Sequence, residues 1–410
     1  MDDVALALGL SRLLPRRGRA FARSCLVLGY NGLGNVGADL RTEALLRRLR
    51  ELPGGGPRVT LAAMGSALGS GLQVRRRVLL PRRYPAALLR LILEHDAVLI
   101  SEGCAFSDVS VGLYGLALAL ALRQGLPAAA LGVGVSALGQ EAALVAARWS
   151  RGALLTARDG VSLKRLEALG LSALPGADLA FDLGAARWPL EEERRAVLDA
   201  LRGGGWDGVC PMVAIAPGPL RPDGALGDPD VEAYLDAIAR AVRATRARRP
   251  FLTVIVGMDP RDRAPAVALG WRLGATTFTS AERSPHWIAA LLMKSAVVIS
   301  ARYHGVLLGL CGGAAPVALA PDERLVGLLE EFEARPWLLE IPFEHPIVLR
   351  RPLERALEQA LSSGEDERAR RLARVAAQRA RLDLGYASLG VALGASARRA
   401  PQQAGDSSST

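Results

Sequence analysis

Lysine is nearly missing from this chain: of 51 basic side chains only Lys164 and Lys294 are lysines, and the rest are arginines. Aromatic residues make up 5% of the sequence, and the arginines are scattered along it. A nucleic-acid surface wants a basic stripe interleaved with aromatics, so the net charge of +10 does not argue for nucleic acid as a partner. A phosphorylated substrate or an anionic membrane surface fits that charge equally well. Cysteine is scarce too. Cys25, Cys104, Cys210 and Cys311 stand far apart, and no cysteine or histidine pair has zinc-ligand spacing, so no metal is expected. Long apolar runs are also lacking. The longest, 109–122, stops at Arg123 and is shorter than the roughly 20 residues that a bilayer demands. The first residues start acidic and carry no cleavage-site pattern, so no signal peptide is expected and the reading is a cytoplasmic, reducing location.

What the sequence does hold is an alternation. A chain of 410 residues, half of them apolar, is too long for one ordinary core, so two domains are expected. Short β-branched and apolar runs alternate with helical patterns almost throughout, which predicts βαβ units and parallel sheets. Strands are expected at 24–30, 58–63, 97–101, 128–135, 154–157 and 178–181, and again at 213–216, 252–256, 297–300 and 316–319. Helices are expected at 38–50, 84–94, 110–123, 141–149 and 161–169, then at 230–248, 285–294, 305–310 and 322–332. The charged stretch RWPLEEERRAVLDALRGGGWDGVCP marks the boundary. The expected layout is an N-terminal extension at 1–23, a first doubly wound domain at 24–186 and a linker at 187–211. A second such domain follows at 212–350, then helices at 351–386 and a disordered tail at 387–410. Two doubly wound α/β domains face a cleft at the carboxyl ends of their strands, and ligands of such folds bind there.

Loops that follow strands are therefore where chemistry is sought. The run GYNGLGNVGADL follows the first strand and opens a helix. Its Gly32, Gly34 and Gly37 satisfy G-x-G-x-x-G, which lets the backbone approach a sugar or phosphate at a helix N-terminus. A tight packing turn explains the same glycines. A dinucleotide reading wants an acidic residue after the second strand, and RVTLAAMGS has none. Asn35 and Asp39 are the loop's polar groups. The third strand ends in Ser101, Glu102 and Gly103, where Glu102 is either a base or a capping acid. Asp159 or Ser162 caps the helix that starts in RDGVSLKRL, which accounts for Asp159 and leaves Arg158 unexplained. An arginine leaving a buried strand suits a phosphate or carboxylate. Arg221, in APGPLRPDG, reaches the cleft or lies on ordinary surface. Arg302 and His304, in SARYHG, sit between a strand and a helix. Arg324 follows the next strand. Together these cations suit a small, multiply charged ligand held between two domains.

In this ordered set the chain resembles the polysaccharide pyruvyl transferase family. The resemblance rests on Gly29, Gly32, Gly34, Asn35 and Gly37, on RDGVSLKRLEALG, on Asp178 in ADLAF, on Ser300, Arg302 and His304, and on DER with Arg324 in place of the family's lysine. It implies a GT-B-like fold. It also implies transfer of the enolpyruvyl unit of phosphoenolpyruvate to two hydroxyls of a glycan sugar or its lipid-linked precursor, forming a ketal and releasing phosphate. No cofactor is implied beyond phosphoenolpyruvate as co-substrate, and peripheral attachment at the inner face of the plasma membrane is compatible with it. The implied roles are His304 as general acid with Arg302 assisting, Arg158 and Arg324 on the donor with Arg221 beside them, and Gly34, Asn35, Gly37, Asp39, Glu102 and Gly103 toward the acceptor. Two departures fall on the acceptor side: Ala38 stands where the family has Asp, and Glu102–Gly103–Cys104 replaces a glycine run. Two alternatives stand beside this reading. One is a nucleotide-sugar glycosyltransferase, for which Glu323 and Glu331 have an E-x7-E spacing. The other is a glycan-binding relative without catalysis.

Overall fold

The computed structural model describes residues 2–13, 22–53, 55–65, 74–185, 188, 190–218, 228–319, 323–334, 337–339 and 349–394. Helix α1 (Asp2–Leu13) comes first. Domain one then runs β1 (Ser24–Leu28), α2 (Val36–Arg50), β2 (Arg58–Ala63), β3 (Arg76–Leu79), α3 (Pro85–Leu93), β4 (Ala97–Ile100), α4 (Val111–Arg123), β5 (Ala128–Val133), α5 (Gln140–Trp149), β6 (Leu154–Ala157), α6 (Gly160–Ala168) and β7 (Leu174–Pro175). After α7 (Glu191–Gly203), domain two runs β8 (Met212–Ala216), α8 (Pro229–Arg248), β9 (Leu252–Gly257), α9 (Arg263–Leu273), β10 (Thr276–Thr279), α10 (Pro285–Lys294), β11 (Val297–Ser300), α11 (Tyr303–Cys311), β12 (Ala315–Ala318) and α12 (Glu323–Glu331). Helices α13 (Arg350–Leu361) and α14 (Glu365–Ala392) follow.

Both sheets are wholly parallel. Their strand orders are β3-β2-β1-β4-β5-β6-β7 and β10-β9-β8-β11-β12. The order reverses between β1 and β4 in the first sheet and between β8 and β11 in the second. Those two switch points open crevices at the strands' carboxyl ends. The loops after β1, β4, β6, β9 and β11 thus converge from two bodies on one cleft.

Each sheet has an outer apolar layer of its own. One is built on Leu26, Leu28, Val98 and Ile100 with α3 and α4, and the other on Val213, Ile215, Val297 and Ile299 with α8 and α13. The inner faces share a single layer. Val27 and Leu99 of domain one, Ala214 and Val298 of domain two, and Val375, Leu382, Tyr386 and Leu389 of α14 belong to it. The domains are therefore joined by an apolar core as well as by the chain.

Several elements differ from the sequence reading. The strand expected at 178–181 is a 3-10 turn, Leu179–Asp182, because the Asp178 side chain caps the Ala180 N–H at 3.0 Å and turns the backbone. β3 and β10 are edge strands that were not anticipated; RRVL and TTFT lack the apolar alternation that marks a buried strand. The C-terminal helical stretch breaks at Ser362–Gly364, and its second helix runs past 386 to Ala392. Leu389 and Leu393 keep it going by burying themselves, and the Ala22 N–H bonds the Leu393 carbonyl at 3.0 Å. The tail is thus shorter than expected, and 395–410 lie outside the described residues. The charged helix of the expected linker, α7, buries Val197 and Leu201 and packs on α10 of domain two. Among the described residues no helix is long and apolar enough to cross a membrane.

Candidate active site at the interdomain cleft

Strand β11, inside the second sheet, ends at Ser300, whose hydroxyl accepts the Arg302 N–H at 2.9 Å and tightens the turn into α11. That turn throws His304, the second residue of the helix, across the cleft onto domain one. Its ring sits against the first turn of α2. A Cβ added at Gly37 would lie 2.0 Å from Nδ1, so only glycine leaves room. The imidazole is about 20% exposed, and its Nε2 lies 3.6 Å from Asp178 Oδ2.

Asp178 is fully buried. Its second oxygen holds the Ala180 N–H, so Oδ2 is left to face Arg41 Nη1 at 2.5 Å as well as His304. Arg41, also buried, donates to the carbonyls of Ser101, Leu131 and Gly132 at 3.0–3.2 Å. A chain of polar contacts therefore runs from the ends of β4 and β5 through Arg41 and Asp178 to the histidine of the other domain. Burial would raise the Asp178 carboxyl, but Arg41, His304 and Arg158 outweigh it and hold the group well below the usual range. Burial lowers the His304 pKa, Asp178 opposes this, and Arg41 and Arg324 lower it further; the net direction is down. The site therefore favours a neutral imidazole at neutral pH.

Arg158 leaves β6 and is only 6% exposed. Its guanidinium stacks 4.6 Å from the Tyr303 ring centroid, next to Gly134, where a side chain would meet it at 2.4 Å. Asp159 accepts from Arg158 Nε at 3.1 Å and caps α6 through Ser162 N at 2.7 Å, so it serves both residues. Arg324, on the first turn of α12, places Nη1 3.4 Å from Cys104 Sγ. Two cavities of about 490 and 420 Å³ meet here, and Cys104, Arg158 and Arg324 line both.

The larger cavity also takes Asn35, Gly37, Glu102, Gly103, Arg302 and His304 into its wall. Asn35 caps α2 through Ala38 N and donates to Asp259 of domain two at 2.8 Å, while the Val36 N–H bonds the Met258 carbonyl. The glycine loop is thereby latched to the facing domain. Glu102 accepts the N–H groups of Tyr30 and Cys104 at 3.0 and 2.8 Å, bracing two loops while it lines the cavity. Arg302 rests on Asp262, with Nε at 3.1 Å from both oxygens. Two of the expected residues lie elsewhere. Gly34 packs on Pro260, and Asp39 turns under the loop to accept the Gly32 N–H at 2.9 Å. Burial pushes the Asp39 carboxyl up to about 6 against that hydrogen bond, with Glu43 and Asp259 adding to the rise. Arg221 lies outside the described residues. Sequence reasoning passed over Arg41, Arg82, Arg261, Tyr303 and Tyr114, all in the same wall. Arg41 had one signal, its position four residues after Gly37 on the same helix face. Among the described residues no cluster of three or more His, Cys, Asp or Glu side chains is placed to hold a metal ion.

Comparison with solved structures defines the class. UDP-GlcNAc 2-epimerase from Neisseria meningitidis, bound to UDP-GlcNAc, superposes with a TM-score of 0.58 at 12% identity, over 90% of this chain and 99% of that one. The α,α-trehalose 6-phosphate synthase of Burkholderia multivorans gives 0.54 at 13%, over 91% and 96%. Glycyrrhiza uralensis UGT73P12, complexed with glycyrrhetinic acid 3-O-monoglucuronide, gives 0.57 at 10%, over 90% and 95%. Two facing Rossmann-like domains, with a C-terminal helix crossing back to the first, make this a GT-B fold. No curated protein matches the sequence. The family pattern of polysaccharide pyruvyl transferases, however, matches residues 35–323, and the chain belongs to that family.

Proposed function

We propose that this protein moves the pyruvyl unit of phosphoenolpyruvate onto two hydroxyls of one sugar in a cell-surface glycan or its lipid-linked precursor. The observation that carries this reading is that Arg158 and Arg324 stand where the two cavities meet, with His304 in the wall of the larger one. A donor with a phosphate and a carboxylate needs several cations held at fixed positions, and the stacked, buried Arg158 is such a group. His304 protonates the methylene carbon of the donor, and the adjacent carbon becomes oxocarbenium-like. One sugar hydroxyl adds to that carbon, the bond from carbon to the phosphate oxygen breaks, and the second hydroxyl closes the ketal. Of the two hydroxyl protons, one restores His304 and the other leaves with phosphate. Arg302 lends positive charge from the second domain, and Glu102 meets the sugar. An arriving dianion raises the pKa of the neutral imidazole, so the acid is charged when its substrate is present.

The nucleotide-sugar alternative draws little support from the E-x7-E pair. Glu323 is tied to Arg165 at 2.5 Å, and Glu331 to Gly160 N, Gln378 and Arg381 at 2.7–3.2 Å. The test is phosphorus NMR of the protein with phosphoenolpyruvate and a glycan-lipid pool. Inorganic phosphate and a new sugar ketal are expected. Release of UDP or GDP from a sugar nucleotide, with no phosphate from phosphoenolpyruvate, would refute the proposal. His304→Ala should abolish turnover and leave thermal unfolding nearly unchanged; a variant that unfolds instead would make His304 a packed core histidine.

A further inference from the structure

Residues 74–94 read VRRRVLLPRRYPAALLRLILE and hold six arginines and one acidic residue, Glu94, which pairs with Arg76 at 2.8 Å. They build β3, the outermost strand of the first sheet, the loop after it, and α3. All six arginines are exposed. Edge strands are commonly guarded by charge, which accounts for arginines on β3. It does not account for what lies between them. Leu79 is 73% exposed and Tyr84 69%. Arg82, on the same loop, lines the larger cavity, and so does Val109 before α4, which is 95% exposed. Helix α1 packs on α3 and leaves Leu6 and Leu10 exposed. Apolar side chains set among cations thus extend from the sheet edge to the mouth of the cleft.

We infer that this face docks on an anionic lipid bilayer. The arginines take the headgroup charge, and Leu79, Tyr84 and Val109 enter the interface, where an aromatic ring with a polar tip is at home. Charge complementarity selects the occupant: six arginines facing one carboxylate, Glu94, leave a surplus of positive charge for anionic headgroups. The mouth of the cleft then faces the bilayer, so a sugar carried on a lipid reaches the cavity without leaving the membrane. That last point rests on the proposed acceptor; the docking does not.

The test is co-sedimentation with phosphatidylcholine vesicles, with and without phosphatidylglycerol, in the absence of phosphoenolpyruvate. Binding should require phosphatidylglycerol and fall with salt. The Arg75→Ser, Arg83→Ser double variant should bind about 25-fold more weakly, about fivefold for each arginine. Leu79→Ser with Tyr84→Ser should lose about tenfold or more. Neither variant touches the cavity wall, and unchanged melting temperatures show that both are folded. Wild-type protein that ignores phosphatidylglycerol, or variants that bind as wild type does, would overturn the inference. So would tighter binding to a single-stranded oligonucleotide that is insensitive to Leu79 and Tyr84, since the surface would then belong to a polyanion. Because no transfer is measured, a failed pyruvyl assay and a failed docking assay are separate results.

Discussion

Asp178→Asn removes one charge and almost no volume from the centre of the molecule. Unit charges 3.6 Å apart attract by about 4–5 kcal/mol at an effective dielectric of ~20. That attraction is what opposes burial at His304. An asparagine oxygen still accepts the Ala180 N–H, so the turn survives. Arg41 is left without its carboxylate but keeps three carbonyls. Breaking a buried pair costs 3–5 kcal/mol, and those carbonyls place the stability loss near the lower end, about 3 kcal/mol. The protonated imidazole loses more than the neutral one, so the His304 pKa drops further below its ordinary value. Phosphate release from phosphoenolpyruvate, followed across pH with a glycan acceptor, should show kcat down by about 10², within the range general acids supply. The fall of kcat/KM with rising pH should also move to lower pH, because less of the free enzyme carries the proton. A stable variant whose turnover and pH profile match wild type would refute the reasoning and leave Asp178 as a core ion pair only.

Three further outcomes follow from the same geometry. Asp39→Asn should stabilise the fold at alkaline pH and not at acid pH. A carboxyl raised from 3.8 to about 6 is ionised at a cost as pH rises through that window, about 3 kcal/mol by linkage, which paired thermal melts would read. Gly37→Ala should cost about 1–3 kcal/mol and at least tenfold in turnover, because its methyl occupies the place of the His304 ring; full activity would show that the ring is free to move away. Phosphoenolpyruvate binding near neutral pH should take up protons, seen by calorimetry in buffers of different ionisation enthalpy, and His304→Gln should abolish the uptake.

The parts of the site that sequence makes visible are those explained by position along one element. His304 stands at a strand-to-helix turn. Arg158 is what remains once Asp159 is assigned to capping. The parts that stay hidden depend on two distant segments meeting. Arg41 reads as one more arginine on a helix already rich in them, and only the folded turn at Asp178 turns it inward. Arg261 lies in a loop whose placement depends on domain two facing domain one, and its pairing with Asp259 also sets Asn35. Asp39 shows the converse: a polar residue beside a glycine loop looks like a ligand contact until the loop's own N–H claims it. The sheets were readable in their buried centres and not at β3 and β10, where exposure erases the apolar pattern.

Helix α14 has a consequence for how the molecule is made. Its Leu382, Leu389 and Tyr386 complete the inner layer of domain one, and Arg379 closes the carbonyls of Phe181 and Leu183 at 2.8 and 2.7 Å. These residues leave the ribosome after both sheets. Until they arrive, the first domain to be synthesised has an uncovered apolar face and two unmet carbonyls. The nascent first domain is thus half sealed until a helix made after both sheets docks on it, and that interval is when its inner face is open to association with other chains.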